Sequence, residues 1–583
     1  MKKFLFFCAA LLVAMTASAK IWEVSPTHCE TEGDQANCNI YRTLKPDYSF
    51  AAGDTLLLAG GNYDESLTIS LTKDIVVMAK EGEYPVIILT GYFELYATAK
   101  FIGVKFDHST VTSNGYGFYV RENTSKSLTL EGCEFVGFDK YCVTGSQSSG
   151  HCDAVFANNC YFHDCNNGPF YFPNSSLADG VNMCNHLEVT NSTFANINVQ
   201  GWVSAIDLLN NNNSTDATSK LIVDHCTFYN CQGDYERLIQ SYKSPDAHIS
   251  NCIMMNPVVE GKTEIYATYL YGGEIHHNLN YQTKRQYGSG VTVTDSLQRD
   301  PQFVDAANGN YFLKPTSPAM GAASDGTNLG DPRWWPTVKF KGAWDGWTEH
   351  NADFATDYSK ASVTINMSAG TDIEFGVMIN EVFRANGYNY HRGFTGAAGI
   401  TGNTSNMTLQ ADMSGDYKFE WYFANDSMAI IFPEPTLANG YYLVGKFNGV
   451  EAWGVADLSA DKMLVKNTEA LGDEYMISDV ALVAGDQLKV AKVEWDAIKE
   501  YLPAESNYTV DADHQGTKII YFRPNKDGGS DWFYNTIYIE ANGGGSAIDN
   551  TEASMKAVKM IENGQLYIIK NGVKFNAIGE VVK

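Results

Sequence analysis

One short phrase recurs through residues 118–281 and limits what this chain can fold into. It reads LTLEGCEF at 128–135, AVFANNCYF at 154–162, LEVTNSTF at 187–194, LIVDHCTF at 221–228 and HISNCIM at 248–254, with a worn copy, EIHHNL, at 274–279. Each copy is an alternating strand of three or four residues, a small polar turn residue, a Cys or Ser, and a large apolar residue two places on. Those apolar residues, Phe135, Phe162, Phe194, Phe228 and Met254, are spaced by 27, 32, 34 and 26. A strand period inside a repeat of this length is the signature of a parallel β-solenoid. One coil cannot bury its own apolar face, so coils must stack and share a continuous core.

The turn positions support the stacking. Asn159, Asn191 and Asn251 share one place in the phrase, with His225 between them. Asn tolerates left-handed backbone angles, and stacked copies are expected to form a side-chain ladder. Cys133, Cys160, Cys226 and Cys252 also share one position and are expected as small inward packers in a column. A column of single sulfurs without paired CxxC is no tetrahedral cage, so no metal is assigned to them. Cys29 and Cys38 are placed to staple the N-terminal loop.

Residues 1–19 read as a secretory signal: Lys2 and Lys3, an apolar run, then Ala17, Ser18 and Ala19. No other segment is long and apolar enough to span a membrane. The formal charge of −27 argues against nucleic acid and anionic membrane surfaces. The chain is rich in Tyr (34) and Phe (30), which suits both strands and stacking on sugar rings.

The stretch AGDTLLLAGGNY at 52–63 resembles the opening coil of the right-handed, pectate-lyase-like β-helices. DPQFV at 300–304, NYFL at 310–313 and SPAMG at 317–321 resemble their closing coil, and GDPRW at 330–334 the exit found in secreted β-helix families of the Bacteroidetes. The resemblance spans residues 20–336. Composition shifts at Trp334: no cysteine occurs beyond 252, and eight of the ten Trp lie at or beyond 334. Residues 338–434 and 440–541 read as two copies of one module, with short alternating strands that argue β-sandwiches. Both are similar to the starch-binding sandwich domains of outer-membrane glycan-capture proteins. The first keeps Trp344 and Trp347; the second has Val450 after Asn448 and Gly449, Trp453 three places on, and Tyr501 where the family has an aromatic pair. A linker and tail, 545–583, is similar to type IX export tails, with a hairpin expected at Asn571 and Gly572. The fold class expected is thus all-β: a right-handed parallel β-helix followed by two immunoglobulin-like sandwiches.

In lyases of the β-helix type, sugars lie on the outer face of the sheet that precedes the repeated phrase. Here its strands are 117–122, 141–146, 169–174, 204–209, 237–242 and 268–273. Alternation turns Val120, Phe170, Phe172, Ile206 and Leu208 inward. It turns Tyr119, Arg121, Thr144, Tyr171, Asp207, Gln240, Tyr242, Tyr269 and Tyr271 outward. Tyrosine faces stack on pyranose rings, and polar groups read hydroxyls. The resemblance implies β-elimination with Lys or Arg as base and charge neutraliser, which makes Arg121, Asp207, Arg237 and Lys243 the candidate catalytic residues. It leaves Ca²⁺ open as a cofactor. Glycoside hydrolysis needs two carboxylates, and Asp207 is the one acid assigned to the face; Asp153, Asp164, Asp179 and Glu236 are left in loops. Tyr119, Tyr171, Gln240, Tyr242, Tyr269, Tyr271, Trp344 and Trp347 are the candidate substrate-binding residues. The expectation is a secreted or surface protein that binds or processes polysaccharide, as a lyase or as a non-catalytic capture or adhesion protein.

Overall fold

Each repeat lays down three short strands, and the register between repeats carries every inward residue onto its counterpart. The computed structural model describes residues 19–26, 28–29, 40, 44, 50–111, 115–121, 126–173, 181–199, 203–209, 219–233, 237–241, 246–257, 266–283, 290–542, 558–562, 565–570, 573–576 and 582. Sheets of twelve, ten and eight strands run side by side through the first half of the chain. In one coil the chain passes from Phe118–Val120 in the eight-stranded sheet to Ser127–Glu131 in the twelve-stranded and Glu134–Val136 in the ten-stranded sheet. The next coil repeats this as Val143–Gly145, Cys152–Asn158 and Tyr161–His163, each parallel to its predecessor. This is the expected parallel β-helix.

Its core is a file of stacked rings. Phe106, Phe135, Phe162, Phe194 and Phe228 follow one another in register, with centroids 4.6, 5.0, 5.0 and 4.7 Å apart and planes within 16° of parallel. The 26- to 34-residue spacing read from the sequence is therefore the length of one coil, with loop insertions absorbed between strands. The nine cysteines from Cys133 to Cys252 are buried and free. Those of the column donate weakly to carbonyls of the coil before, as Cys160 Sγ does to Leu130 O at 3.5 Å. The proposed Cys29–Cys38 staple lies outside the described side chains.

The turn positions take the left-handed backbone that favours Asn: φ is 54° at Asn159, 49° at Asn191, 48° at His225 and 55° at Asn251. The ladder expected there is displaced by one residue. Asn191 Nδ2 donates to Asn158 Oδ1 at 2.8 Å, and Asn251 Nδ2 to Asp224 Oδ1 at 2.8 Å. The left-handed turn swings each amide over the end of the preceding strand in the coil before. Direct stacking occurs at the next corner, where Asn230 donates to Asn196 (2.9 Å) and Asn196 to Asp164 (3.0 Å).

Leu297–Gln298 is the last strand of the ten-stranded sheet, and residues 300–335, expected as the closing coil and exit, instead fold back as a strap along its outer face. Phe303–Asp305 and Asn310–Leu313 pair antiparallel. Tyr311, Leu313, Ala319 and Leu329 bury against Tyr229, Ile253 and Leu279. The strap is pinned at Asp331, which is 1% exposed. Its carboxylate accepts from Thr193 Oγ1 (2.7 Å) and from Arg333 N (2.9 Å), and its own N–H donates to Thr227 Oγ1 (2.9 Å). Trp334 Nε1 donates to Thr193 Oγ1 at 2.7 Å, and Arg333 reaches back to Asn159 O at 2.8 Å. Asp331→Ala strands these donors in a dry interface. It is expected to cost about 1–3 kcal/mol in urea denaturation and to open the strap to limited proteolysis.

Beyond the strap lie four mainly antiparallel sheets in two matching pairs. In the first pair, Val338–Gly342 and Gly370–Ile379 face Lys360–Met367 and Gly415–Tyr422; in the second, Gly440–Phe447 and Gln487–Glu494 face Tyr475–Leu482 and Gly516–Phe522. The two share one pattern of pairing. Arg392 joins them, held by Asp412 and stacked 4.2 Å over the Trp495 ring. At the C-terminus Val558–Glu562, Gln565–Lys570 and Val573–Asn576 form a three-stranded antiparallel sheet. The expected signal lies outside the described residues but for Ala19, and Asn571 and Gly572 lie outside them too.

Candidate functional site

Alternation along the short strands of the eight-stranded sheet decides what reaches its outer face. Register then strings the outward residues into one ladder: Ser70, Glu94, Tyr119, Thr144, Tyr171, Asp207, Gln240, Tyr269. Neighbouring strands lie ~4.8 Å apart, so the ladder runs for about 34 Å.

The first half is aromatic. Tyr92, Tyr116, Tyr119, Tyr141 and Tyr171 form a connected row: Tyr92–Tyr116 at 5.9 Å, Tyr116–Tyr119 at 5.2 Å, Tyr116–Tyr141 at 6.2 Å and Tyr141–Tyr171 at 4.2 Å. Tyr92, Tyr116 and Tyr141 sit just before their strands, so ladder residues and corner residues together double the tyrosine density. Arg121 lies over the Tyr119 ring at 4.7 Å. It is not a free cation: its Nε donates to Glu94 Oε1 at 2.8 Å and its Nη2 to the Tyr92 hydroxyl at 2.8 Å.

The second half is polar and sunken. Asp207 is fully buried. Its Oδ2 accepts from Ser204 N at 3.0 Å, while Oδ1 has no hydrogen-bond partner among the described residues. Burial pushes its carboxyl up to about 8, against the opposing pull of the Ser204 N–H and of Arg237. It is therefore mostly a neutral acid at pH 7. Arg237 donates to Gln240 Oε1 at 2.5 Å and stacks 3.8 Å over the Tyr269 ring, whose hydroxyl meets that of Tyr271 at 2.9 Å.

The structure thus brings Asp207, Arg237, Gln240, Tyr269 and Tyr271 together at one end and Tyr119 and Arg121 at the other, with Tyr171 between. Arg121, expected to share a site with Asp207, is three rungs away, about 14 Å. Asp207, Gln240 and Thr144 point outward along the strand yet are buried, so alternation located their face and not their exposure. Tyr242 and Lys243 lie outside the described residues. Trp344 is partly buried and packs against Phe375 and Phe419 at 6.0 and 5.3 Å, at the edge of the first sandwich's core. Trp347 is half-buried near Phe383 at 6.3 Å. In the second sandwich the Tyr501 hydroxyl donates to the backbone carbonyl of Trp453 at 2.8 Å, and the Trp453 indole N–H donates to Glu451 Oε2 at 2.5 Å.

Glu94 was missed from the sequence. The repeated phrase starts only at 128, and the strand Phe93–Leu95 that carries Glu94 precedes it. It is a second acid on the face, but four rungs from Asp207, about 19 Å. A glycosidase pair stands ~5–9.5 Å apart, so these two carboxyls do not form one. Among the described residues no cluster of three His, Cys, Asp or Glu side chains is placed to hold a metal ion.

The family described as a domain of unknown function (DUF5123) matches residues 221–334, which comprise the last coils and the strap. No curated protein matches the chain. Among solved structures it is similar to the PL6 family alginate lyase AlyGC (TM-score 0.26, 15% identity), over 48% of this chain and 39% of that one. It is also similar to ORF18 of Geobacillus virus E2 (TM-score 0.25, 11% identity, 77% and 80% covered) and to SusF from Bacteroides thetaiotaomicron (TM-score 0.15, 12% identity, 51% and 76% covered). The chain spans about two fifths of the alginate lyase. Likenesses at such TM-scores carry no chemistry over to this chain.

Proposed function

We propose that this is an exported polysaccharide-binding protein that holds a glycan along the outer face of the eight-stranded sheet. One observation carries the reading: the unbroken row of five tyrosines on that face, at ring spacings of 4.2–6.2 Å. Such rings offer apolar faces to sugar rings and hydroxyls to their edges. Export rests on the signal at 1–19 and on the tail at 545–583, which we assign to the type IX route. No helix among the described residues is long and apolar enough to cross a membrane. The two sandwiches are assigned as accessory glycan contacts, through Trp344 and Trp347 of the first and Trp453 and Tyr501 of the second.

A second reading, lyase chemistry, is favoured by Arg237, a cation that lies on the same sheet beside Gln240 and over the Tyr269 ring. In that reading Arg237 and Gln240 orient the reacting unit, and Arg121 is too far away to take part. Co-sedimentation with insoluble polysaccharides tests the binding reading: Tyr171→Ala is expected to weaken retention about tenfold. Retention unchanged by that variant contradicts it. An absorbing unsaturated uronide that accumulates with the wild type, and is lost in Arg237→Ala, establishes the lyase instead.

A further inference from the structure

We propose that the stretch of this face from Tyr92 to Tyr171 takes an uncharged glycan, recognised by ring faces and hydroxyls and not by carboxylate or sulfate groups. The inference rests on the glycan reading above and names its substrate class. From Ser70 to Tyr171 the outward ladder holds no cation. The guanidinium beside it, Arg121, is held by Glu94, whose carboxylate is locked in turn by Ser70 Oγ at 2.9 Å and Tyr96 OH at 3.4 Å. That ion pair presents no net charge. Its acid is only 13% exposed, so it is already committed to the protein.

A polyuronide carries one negative charge on every unit. Laid over this stretch, it would gain no uncompensated cation from the ladder itself, and it would approach a chain of formal charge −27. What the stretch does offer is neutral. Burial raises the phenols of Tyr116, Tyr141 and Tyr171, so they stay protonated and serve as donors. Arg237 lies two rungs beyond Tyr171, about 10 Å, and is tied to Gln240 and Tyr269. It falls outside the stretch.

Affinity electrophoresis of the full mature chain separates this proposal from the reading beneath it. The gels would contain soluble starch or galactomannan as neutral probes, and alginate or polygalacturonate as acidic ones, each at low and high salt. The expected result is retardation by a neutral probe that salt leaves unchanged. The Tyr119→Ala, Tyr141→Ala double variant should weaken it about tenfold, while Phe156→Ala, on the twelve-stranded sheet, should leave it unchanged. Retardation only by the acidic probes, fading with salt, overturns the uncharged substrate and leaves the groove standing. Retardation that the tyrosine variants do not change overturns the groove itself. No retardation by any probe overturns both.

Discussion

Phe194→Ala is expected to destabilise the β-helix by about 3–5 kcal/mol, the range for emptying a buried phenylalanine site. Phe194 is fully buried and stacks between Phe162 and Phe228 with planes 15° and 6° from parallel. In a stacked-coil protein each coil is stabilised chiefly by its two neighbours. A void at Phe194 weakens both interfaces at once, so the urea transition of the β-helix should move to lower denaturant and broaden as the two sides lose their coupling. Phe156 supplies the control. It sits on the outer side of the twelve-stranded sheet, half-buried and edge-on to His186 at 5.1 Å. Phe156→Ala should cost about 1 kcal/mol, in proportion to the smaller area it covers.

Asp207→Asn is expected to stabilise the protein at alkaline pH and to flatten its pH dependence. The folded-state carboxyl is raised to about 8, from an ordinary 3.8. The native state therefore holds a proton that the unfolded chain releases, and stability falls as pH climbs between those two values. The contribution is fully present below about pH 4 and is lost as pH rises through about 8. Its full span is on the order of 5 kcal/mol. Asparagine keeps the shape and the acceptor for Ser204 N, and it carries no charge to desolvate. The gap between variant and wild type should thus be small at pH 4.5 and several kcal/mol at pH 8.5, read as the difference in urea midpoints. Equal midpoints at pH 8.5 would mean that Asp207 is ionised at no cost, which would contradict its sealed position beside Tyr171.

The β-helix was legible because its repeat is local. Strand, left-handed turn, small residue and phenylalanine recur within eight or nine residues, and stacking follows from the need to bury that phenylalanine. The strap was not legible. Asp331, Arg333 and Trp334 are bonded to Thr193, Thr227 and Asn159, more than a hundred residues earlier. Nothing near residue 331 signals such partners. The outer face was half legible. A period of two assigns Tyr119, Tyr171, Asp207 and Gln240 to the right side of the strand, but it is silent on what covers them. Asp207 and Tyr171 therefore looked alike in sequence and differ in the structure, one sealed and one half-exposed. The corner tyrosines 92, 116 and 141 fall just outside the alternating strands, so strand periodicity passes over them. Arg121 illustrates a further limit: its charge was readable, and its cancellation by Glu94 from the coil before was not.

The most direct test of the glycan-binding face is hydroxyl-radical footprinting of the mature chain with and without a polysaccharide that retards it. Binding should protect Tyr116, Tyr119, Tyr141 and Tyr171, with Trp453 and Tyr501 changing less. Protection confined to Trp453 and Tyr501, with the β-helix tyrosines unchanged, would contradict the glycan-binding face and leave the β-helix as a spacer for the sandwiches.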